Sequence, residues 1–393
     1  MRSVCIHFQL NQPSRLVNYR FFDINRKHDY FDEYQNRYLT TRLAERCYLP
    51  ANNMLMRLIE KYGEKVAFSF SISGSSLSLF ANNYPEVLDS FKTLTDTGRI
   101  EMTGNTFSHS IASLYNKSTF LEQIRLQEEA LEKHFGIRPL TFCNTEFIYS
   151  DEIGEWIYEA GYKTVLTEGA KHILGWKSPG FLYCNPFQTD LKLLLRNYNI
   201  CDDITYRFTD SSWDRYPLTA EKVLETLDQL PEDAPMVNLY FDYEIMGEFY
   251  TEETGIFQFF ETLFSYIAES DRYRFMRPDE ILQQDLPVST LHVPWPVSTS
   301  GEEKDTSRWL GNELQEEAFY QLFKLEDLYL ASRNPVARNH WVLMQEADYF
   351  NFMGNKWISE PAVYRNFEVY SSPYQAFIHY MNIVNDIKLQ LQN

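Results

Sequence analysis

The sequence predicts an α/β fold, either a parallel barrel or a doubly wound sheet, with a helical tail behind it. Three observations carry that expectation. Apolar, β-branched runs alternate with helical patterns about seven times, the order of parallel strands joined by helical crossovers. Most of these runs are apolar throughout instead of alternating, as strands covered on both faces are. After residue 305 such runs cease, and apolar residues recur only at helical spacing. A chain of 393 residues can form one large barrel with an appendage, or about two or three ordinary domains.

In chain order the strand candidates are SVCIHFQL (3–10), KVAFSFSIS (65–73), RIEMTG (99–104), PLTFCN (139–144), KTVLTEG (163–169), KLLLRN (192–197) and MVNLYFD (236–242). The helices between them carry end signals. Thr119 and Glu122 form a capping-box pattern ahead of Phe120, Ile124, Leu131 and Phe135, and Gly136 follows. Asp151 and Glu152 suit the first turn of the next helix, and Gly161 ends it. The barrel is expected to occupy residues 1–284. An irregular connection follows at 285–305, where three prolines fall among Ser and Thr residues. In the helical segment, 306–393, Leu314, Ala318, Leu322, Leu325 and Tyr329 share a face, as do Phe377, Tyr380, Met381 and Val384 behind Ser372 and Pro373.

Charge and composition exclude several classes. With 36 basic against 55 acidic residues, a net charge of -19 and no basic stripe, phosphate backbones and anionic membranes have no electrostatic footing as partners. No window approaches the roughly 18 apolar residues that span a bilayer, and the run after Met1 is too short and polar for a secretory signal. Five cysteines with no Cys-x-x-Cys spacing argue against a disulfide framework or a zinc knuckle and point to a cytoplasmic setting. The many aromatics, 29 Phe, 27 Tyr and 7 Trp, supply flat faces of the kind that sugar rings pack against.

Four strand candidates end in polar clusters: Asn11 and Gln12; Glu101, with His109 close behind; Asn144, Thr145 and Glu146; and Asp242 and Glu244. In a parallel barrel these ends converge on one mouth. Helix capping explains Ser150 and Asp151 but not Glu146, which precedes the cap by several residues. Two carboxyl groups facing each other across a pocket suit glycosidic bond cleavage, one protonating the leaving oxygen and the other attacking or activating water. Carboxylates also bind metals, and Asp242 and Glu244 point the same way along a strand. A deacetylase-like metal site would need a second imidazole one helix turn after His109, where the sequence has Ser113; no His-Glu-x-x-His occurs. No metal or other cofactor is therefore expected. SISGSSLS (71–78) lacks the Gly-x-Ser-x-Gly elbow, and no phosphate loop is present.

The blocks FQLNQPSRL, YRFFDI, GRIEMTGNTFSHS, FCNTEFIYSDEIGE, LTEGAKHILGWKSP, NLYFDYEIMGE and WLGNELQEEAF together resemble glycoside hydrolase family 57, specifically its shorter α-amylase-like members. The resemblance runs in order along nearly the whole chain. It implies an incomplete seven-stranded (β/α) barrel with a C-terminal helical segment, acting on α-1,4-glucans with retention and without a metal. Glu146 matches the family nucleophile and Asp242 its acid/base, kept protonated by Tyr240, Phe241, Tyr243 and neighbouring carboxylates. Gln12, Glu101 and His109 match positions lining the innermost sugar subsite. Trp176, Glu244, Trp309, Asn312 and Gln315 lie in shared blocks and are carried over as substrate-binding, with packing between barrel and tail as the competing role for both tryptophans.

The chain departs from the family pattern at two places. Asn11 stands where the first block usually has His, and ADYFNFM (347–353) stands where related chains carry SDHFYYM, with Ala347 and Tyr349 among the changes. The expected substrate is thus an α-glucan, hydrolysed by an α-amylase-like reaction. A 4-α-glucanotransferase on the same site, an inactive or weakly active glucan-binding relative, and a metal-dependent polysaccharide deacetylase are the alternatives.

Overall fold

The computed structural model describes residues 1–284, 286, 288–354 and 370–392. Among these residues, ten strands form one sheet: β1 (Arg2–Leu10), β2 (Phe68–Ile72), β3 (Ile100–Met102), β4 (Thr141–Cys143), β5 (Thr164–Glu168), β6 (Leu182–Cys184), β7 (Lys192–Arg196), β8 (Met236–Asp242), β9 (Tyr273–Phe275) and β10 (Val288–Thr290). Seven of them, those expected from the apolar runs, close into a parallel ring. β1 pairs with β2 on one edge and with β8 on the other, and β2 pairs with β3, β4 with β5 and β5 with β7.

Two joints of the ring are slender. β3 meets β4 through Gly104 alone, whose N–H donates to Thr141 O and whose carbonyl accepts from Cys143 N, both at 2.8 Å. Only glycine fits there, because a Cβ would lie 2.3 Å from the Tyr162 hydroxyl. β7 meets β8 where the last residue of β7, Arg196, lies opposite Asn238 near the start of β8. Lower down, β6 runs antiparallel to β7 and fills the gap, with β10 on its far edge. These two strands and β9, which extends the first residues of β1, are each three residues long.

Alternate residues of β1 face the interior. Cys5, His7 and Gln9 point inward, and His7 makes side-chain hydrogen bonds to Ser69 and Ser71 of β2. Val4, Ile6, Phe8 and Leu10 face outward into a core shared with the helices Leu49–Tyr62 and Ile256–Glu269. A second core joins the outer faces of β4, β5 and β7 to the C-terminal helices and includes Trp309, Trp341 and Tyr380.

Local expectations fail at two helix ends. The helix Lys117–Phe135 is capped by Asn116, whose Oδ1 accepts from Thr119 N at 2.8 Å; Glu122 instead pairs with Arg125. An Asn three residues upstream is the stronger cap. The stripe from Leu314 to Tyr329 belongs to two helices, Glu313–Phe323 and Glu326–Ala331, and the second begins where Glu326 and Asp327 complement a helix N-terminus. The helix Pro373–Gln392 forms as expected. No helix among the described residues is long and apolar enough to cross a membrane.

Candidate active site

The turn after β4 is where the site begins. Asn144 Nδ2 donates to Ile148 O (2.9 Å) and Ser113 Oγ (3.1 Å), while its Oδ1 accepts from Thr145 N. These bonds hold a turn in which both Glu146 and Phe147 have left-handed backbone, φ 51° and 57°. Such conformations cost free energy in non-glycine residues and persist where the surroundings over-determine them. The Phe147 ring stacks inside the barrel on Tyr240, centroids 5.2 Å apart, and Glu146 is left lining the cleft at the mouth. His109, also left-handed at φ 49°, places Nε2 3.2 Å from Glu146 Oε1.

Asp242, the last residue of β8, lines the same cleft. The two carboxyls are driven apart in acidity. For Glu146, burial pushes the pKa up, but the His109 hydrogen bond, the Arg308 charge and a Thr299 hydrogen bond outweigh it, and the group ionises below the ordinary range. Asp242 is pushed up to about 6, first by burial and then by the Glu146 charge, with Arg308 opposing. A carboxylate that ionises early beside an acid that keeps its proton up to about pH 6 is the division of labour that paired-carboxyl catalysis requires.

The remaining wall comes from β1 and the turn after β8. Glu244, pushed up to about 8 chiefly by burial, accepts from Tyr48 Oη (2.7 Å) and Gln12 Nε2 (3.2 Å). Asn11 donates to Glu346 Oε1 at 3.0 Å and accepts from Ser73 Oγ at 2.7 Å. Asn11, Gln12, His109, Glu146, Asp242 and Glu244 are thus brought together on one cleft.

Five other sequence candidates lie elsewhere. Glu101 pairs in register with Ser69, which aligns with His7 and hence with Tyr240, one interior layer below Asp242. Its Oε2 accepts from Asp279 N at 2.9 Å, at the segment Pro278–Gln283 that closes the barrel base. Trp309 is buried in the second core, so packing is its observed role. Asn312 caps the helix Glu313–Phe323 and bonds Met353 O. Gln315 ties Arg308 O to Phe350 O through its amide. Trp176 is 94% exposed, neither packed between barrel and tail nor lining the cleft.

Sequence reasoning missed what the tail contributes: Arg308, Asp348, Asn351 and Phe352, together with Gln9 and Phe249. Arg308 sits beside the shared block WLGNELQEEAF, and its Nε donates to Asn351 Oδ1 at 3.2 Å. Of the departures in ADYFNFM, Ala347 and Tyr349 are buried beneath the cleft, whereas Asn351 and Phe352, where the quoted pattern has Tyr, form its wall together with Asp348.

Comparison with known proteins fits this geometry. The family model described as glycosyl hydrolase family 57 matches residues 5–294. A protein described as "Putative alpha-amylase" from Methanocaldococcus jannaschii is 32% identical over 99% of this chain and 85% of its own length. Among solved structures, the alpha-amylase AmyC from Thermotoga maritima superposes with a TM-score of 0.66 at 14% identity, covering the whole chain and 94% of AmyC. The 4-alpha-glucanotransferase from Thermococcus litoralis gives 0.67 at 16% identity over 97% of this chain, which spans only 60% of that larger protein. The structural likenesses establish the fold, and with the sequence match over most of its length, the chain belongs to glycosyl hydrolase family 57.

Proposed function

We propose that this glycoside hydrolase cleaves α-1,4 bonds of glycogen, starch or maltooligosaccharides with retention, using Glu146 as nucleophile and Asp242 as acid/base. The observation that carries the reading is the split pair: Glu146 ionised through His109 and Arg308, Asp242 protonated through burial and the Glu146 charge. In the first step the Glu146 carboxylate bonds to the anomeric carbon as the glycosidic bond breaks and the Asp242 proton passes to the leaving oxygen. In the second, Asp242 takes a proton from water, whose oxygen displaces Glu146 from the same carbon. Asn11, Gln12, His109 and Glu244 offer hydrogen-bonding groups to sugar hydroxyls in the wall.

The donor set also speaks against the deacetylase alternative. Ser113, four residues after His109 but on no helix with it, accepts a hydrogen bond from Asn144, and the imidazole of His109 is directed at Glu146. The test is to feed maltooligosaccharides to the purified protein and follow products by size and by the anomeric proton signal. Shorter chains released first as the α-anomer support the proposal. Products longer than the substrate would reassign the reaction to glucan transfer, and β-anomer products would remove the retaining mechanism. Binding without release would leave a glucan-binding protein.

A further inference from the structure

The irregular connection does more than link barrel to tail. Val297 pairs with Tyr149, and two residues later Thr299 N donates to Glu146 O at 3.1 Å. Thr299 Oγ1 lies 3.3 Å from Glu146 O and 3.4 Å from Glu146 Oε2. The loop then folds back on itself: Ser298 N donates to Lys304 O at 3.1 Å and Ser300 N to Ser298 Oγ at 3.0 Å. Lys304 adopts left-handed backbone, φ 54°, which turns its side chain inward.

That side chain ends in a largely buried group of four charges, of which Asp202 alone is partly exposed, at 28% of its side chain. Lys304 Nζ donates to Thr299 O and to Asp202 Oδ2, both at 3.2 Å, and lies 3.6 Å from Glu168 Oε2. Arg196 completes the set, with Nη1 3.0 Å from Glu168 and Nη2 2.8 Å from Asp202, while its Nε donates to Tyr240 O at 3.2 Å. Lys304 is 7% exposed, Arg196 5% and Glu168 3%. A loop lysine is ordinarily solvated, and burying it is costly unless the charge is paired and hydrogen-bonded. Here two cations and two carboxylates balance, and they join the strand that carries Asp242 to the loop that holds Glu146.

We infer that Lys304 is a positioning residue for Glu146: anchored in this buried quartet, it fixes Thr299, which holds both the strained backbone and the carboxylate of Glu146. The inference rests on the reading of Glu146 as nucleophile. It adds a part of the connection that touches no substrate and is not among the cleft residues. The strained turn at Glu146 and Phe147 needs support from outside its own strand, and Thr299 supplies it.

The test uses Lys304→Met, Lys304→Arg and Thr299→Val in the full chain. Two quantities are read: turnover of maltooligosaccharides, and titration of the Glu146 carboxyl by carbon-13 NMR of glutamate-labelled protein, its signal identified by its loss in Glu146→Gln. His109, Arg308, Asp242 and Asp348, the other titratable or charged groups acting on Glu146 across the cleft, are unchanged in every variant. Because the Thr299 hydrogen bond holds the Glu146 pKa down, Lys304→Met and Thr299→Val should each raise the titration midpoint. Each should also lower kcat about ten- to a hundredfold, with KM nearly unchanged. Lys304→Arg should recover part of both effects. The double variant should be little worse than the worse single one, since the two residues act in series.

A folded Lys304→Met protein with the parent midpoint and kcat overturns the inference, and so do additive effects. Should Lys304→Met fail to fold, an unshifted midpoint in Thr299→Val overturns it equally. A parent that releases nothing from maltooligosaccharides defeats the functional reading, while the titration still decides whether Lys304 positions Glu146.

Discussion

Two glutamates face the interior of the same barrel, Glu146 at its mouth and Glu101 toward its base, and their surroundings send them in opposite directions. Both are penalised by burial. At the mouth, His109 and Arg308 overcome that penalty and keep Glu146 ionised. Toward the base, Asp279 adds a like charge to the burial, Arg277 and the Asp279 amide only partly offset them, and Glu101 is pushed up to about 8. What separates the two carboxyls is therefore the balance of partners: a barrel histidine and a tail arginine at Glu146, against a second carboxylate that Arg277 only partly offsets at Glu101.

The largest expected effect breaks or upholds this contrast directly. Glu146→Gln and Asp242→Asn should each lose turnover on the order of a thousandfold or more, because the pair acts as a unit. Glu101→Gln should stay near the parent rate on the same maltooligosaccharides. A Glu101→Gln loss comparable to that of Glu146→Gln would show that the base of the barrel communicates with the reacting sugar and that its separation from the cleft is functionally empty.

Stability should show the reverse ranking. The folded-state pKa of Glu101, about 8, lies above the unfolded value of roughly 4.3. The native state thus holds a proton that the unfolded chain releases. The stabilisation from that proton is complete below pH 4.3 and is lost as pH rises to 8. At 1.36 kcal/mol per unit, discounted for relaxation, about 2 to 4 kcal/mol is at stake. Urea unfolding at pH 5 and pH 8 should show the parent losing stability over that interval by more than Glu101→Gln does. Parallel pH dependence in the two proteins would mean that Glu101 titrates as an ordinary carboxylate.

The contrast also shows what could be read in the sequence. All seven ring strands were legible as apolar runs bounded by turn residues, and Glu146 and Asp242 as carboxyls that no helix cap explains. β6, β9 and β10 were not; β10 is exposed throughout and β9 at its centre, so neither presents a buried run. Glu101 reads as a strand-end residue because strand ends are blurred in sequence: it sits in mid-strand, and the strand ends only after Met102. Trp309, Asn312 and Gln315 belong to a shared block for a structural reason. The buried indole and the two amides fix the short helix that presents Arg308, and no local pattern reveals that this guanidinium reaches Glu146 from more than a hundred residues away.

Arg308 gives an intermediate test. In the parent, kcat/KM should fall on the acid side as Glu146 is protonated, below its ordinary range, and on the basic side near pH 6 as Asp242 loses its proton. Arg308 lowers both carboxyls, so Arg308→Met should raise both limbs, moving the whole bell about one pH unit upward. A bell that narrows or keeps its position would mean that the guanidinium serves the substrate and not the carboxyl pair.

The smallest effect concerns Asn11, where family members usually have histidine. Asn11 bridges Ser73 and Glu346, and burial together with the Asp348 charge pushes Glu346 well above the usual carboxylate range. The amide therefore meets a carboxyl whose charged form is disfavoured, which weakens any charge-assisted component of the bond. An imidazole introduced by Asn11→His would trade one neutral hydrogen bond for another, a difference of about 0.5 to 1.5 kcal/mol, or roughly two- to tenfold in kcat/KM. If the imidazole instead drew a proton and ionised Glu346, the new pair would add a negative charge near Asp348 and the acid limb would move with it. Measuring kcat/KM for maltooligosaccharides between pH 4 and 8 in both proteins separates these outcomes. A change within tenfold at every pH supports the neutral exchange. A pH-dependent change larger than that would show Glu346 to be coupled to the catalytic pair, and no change at all would place Asn11 outside the reacting subsite.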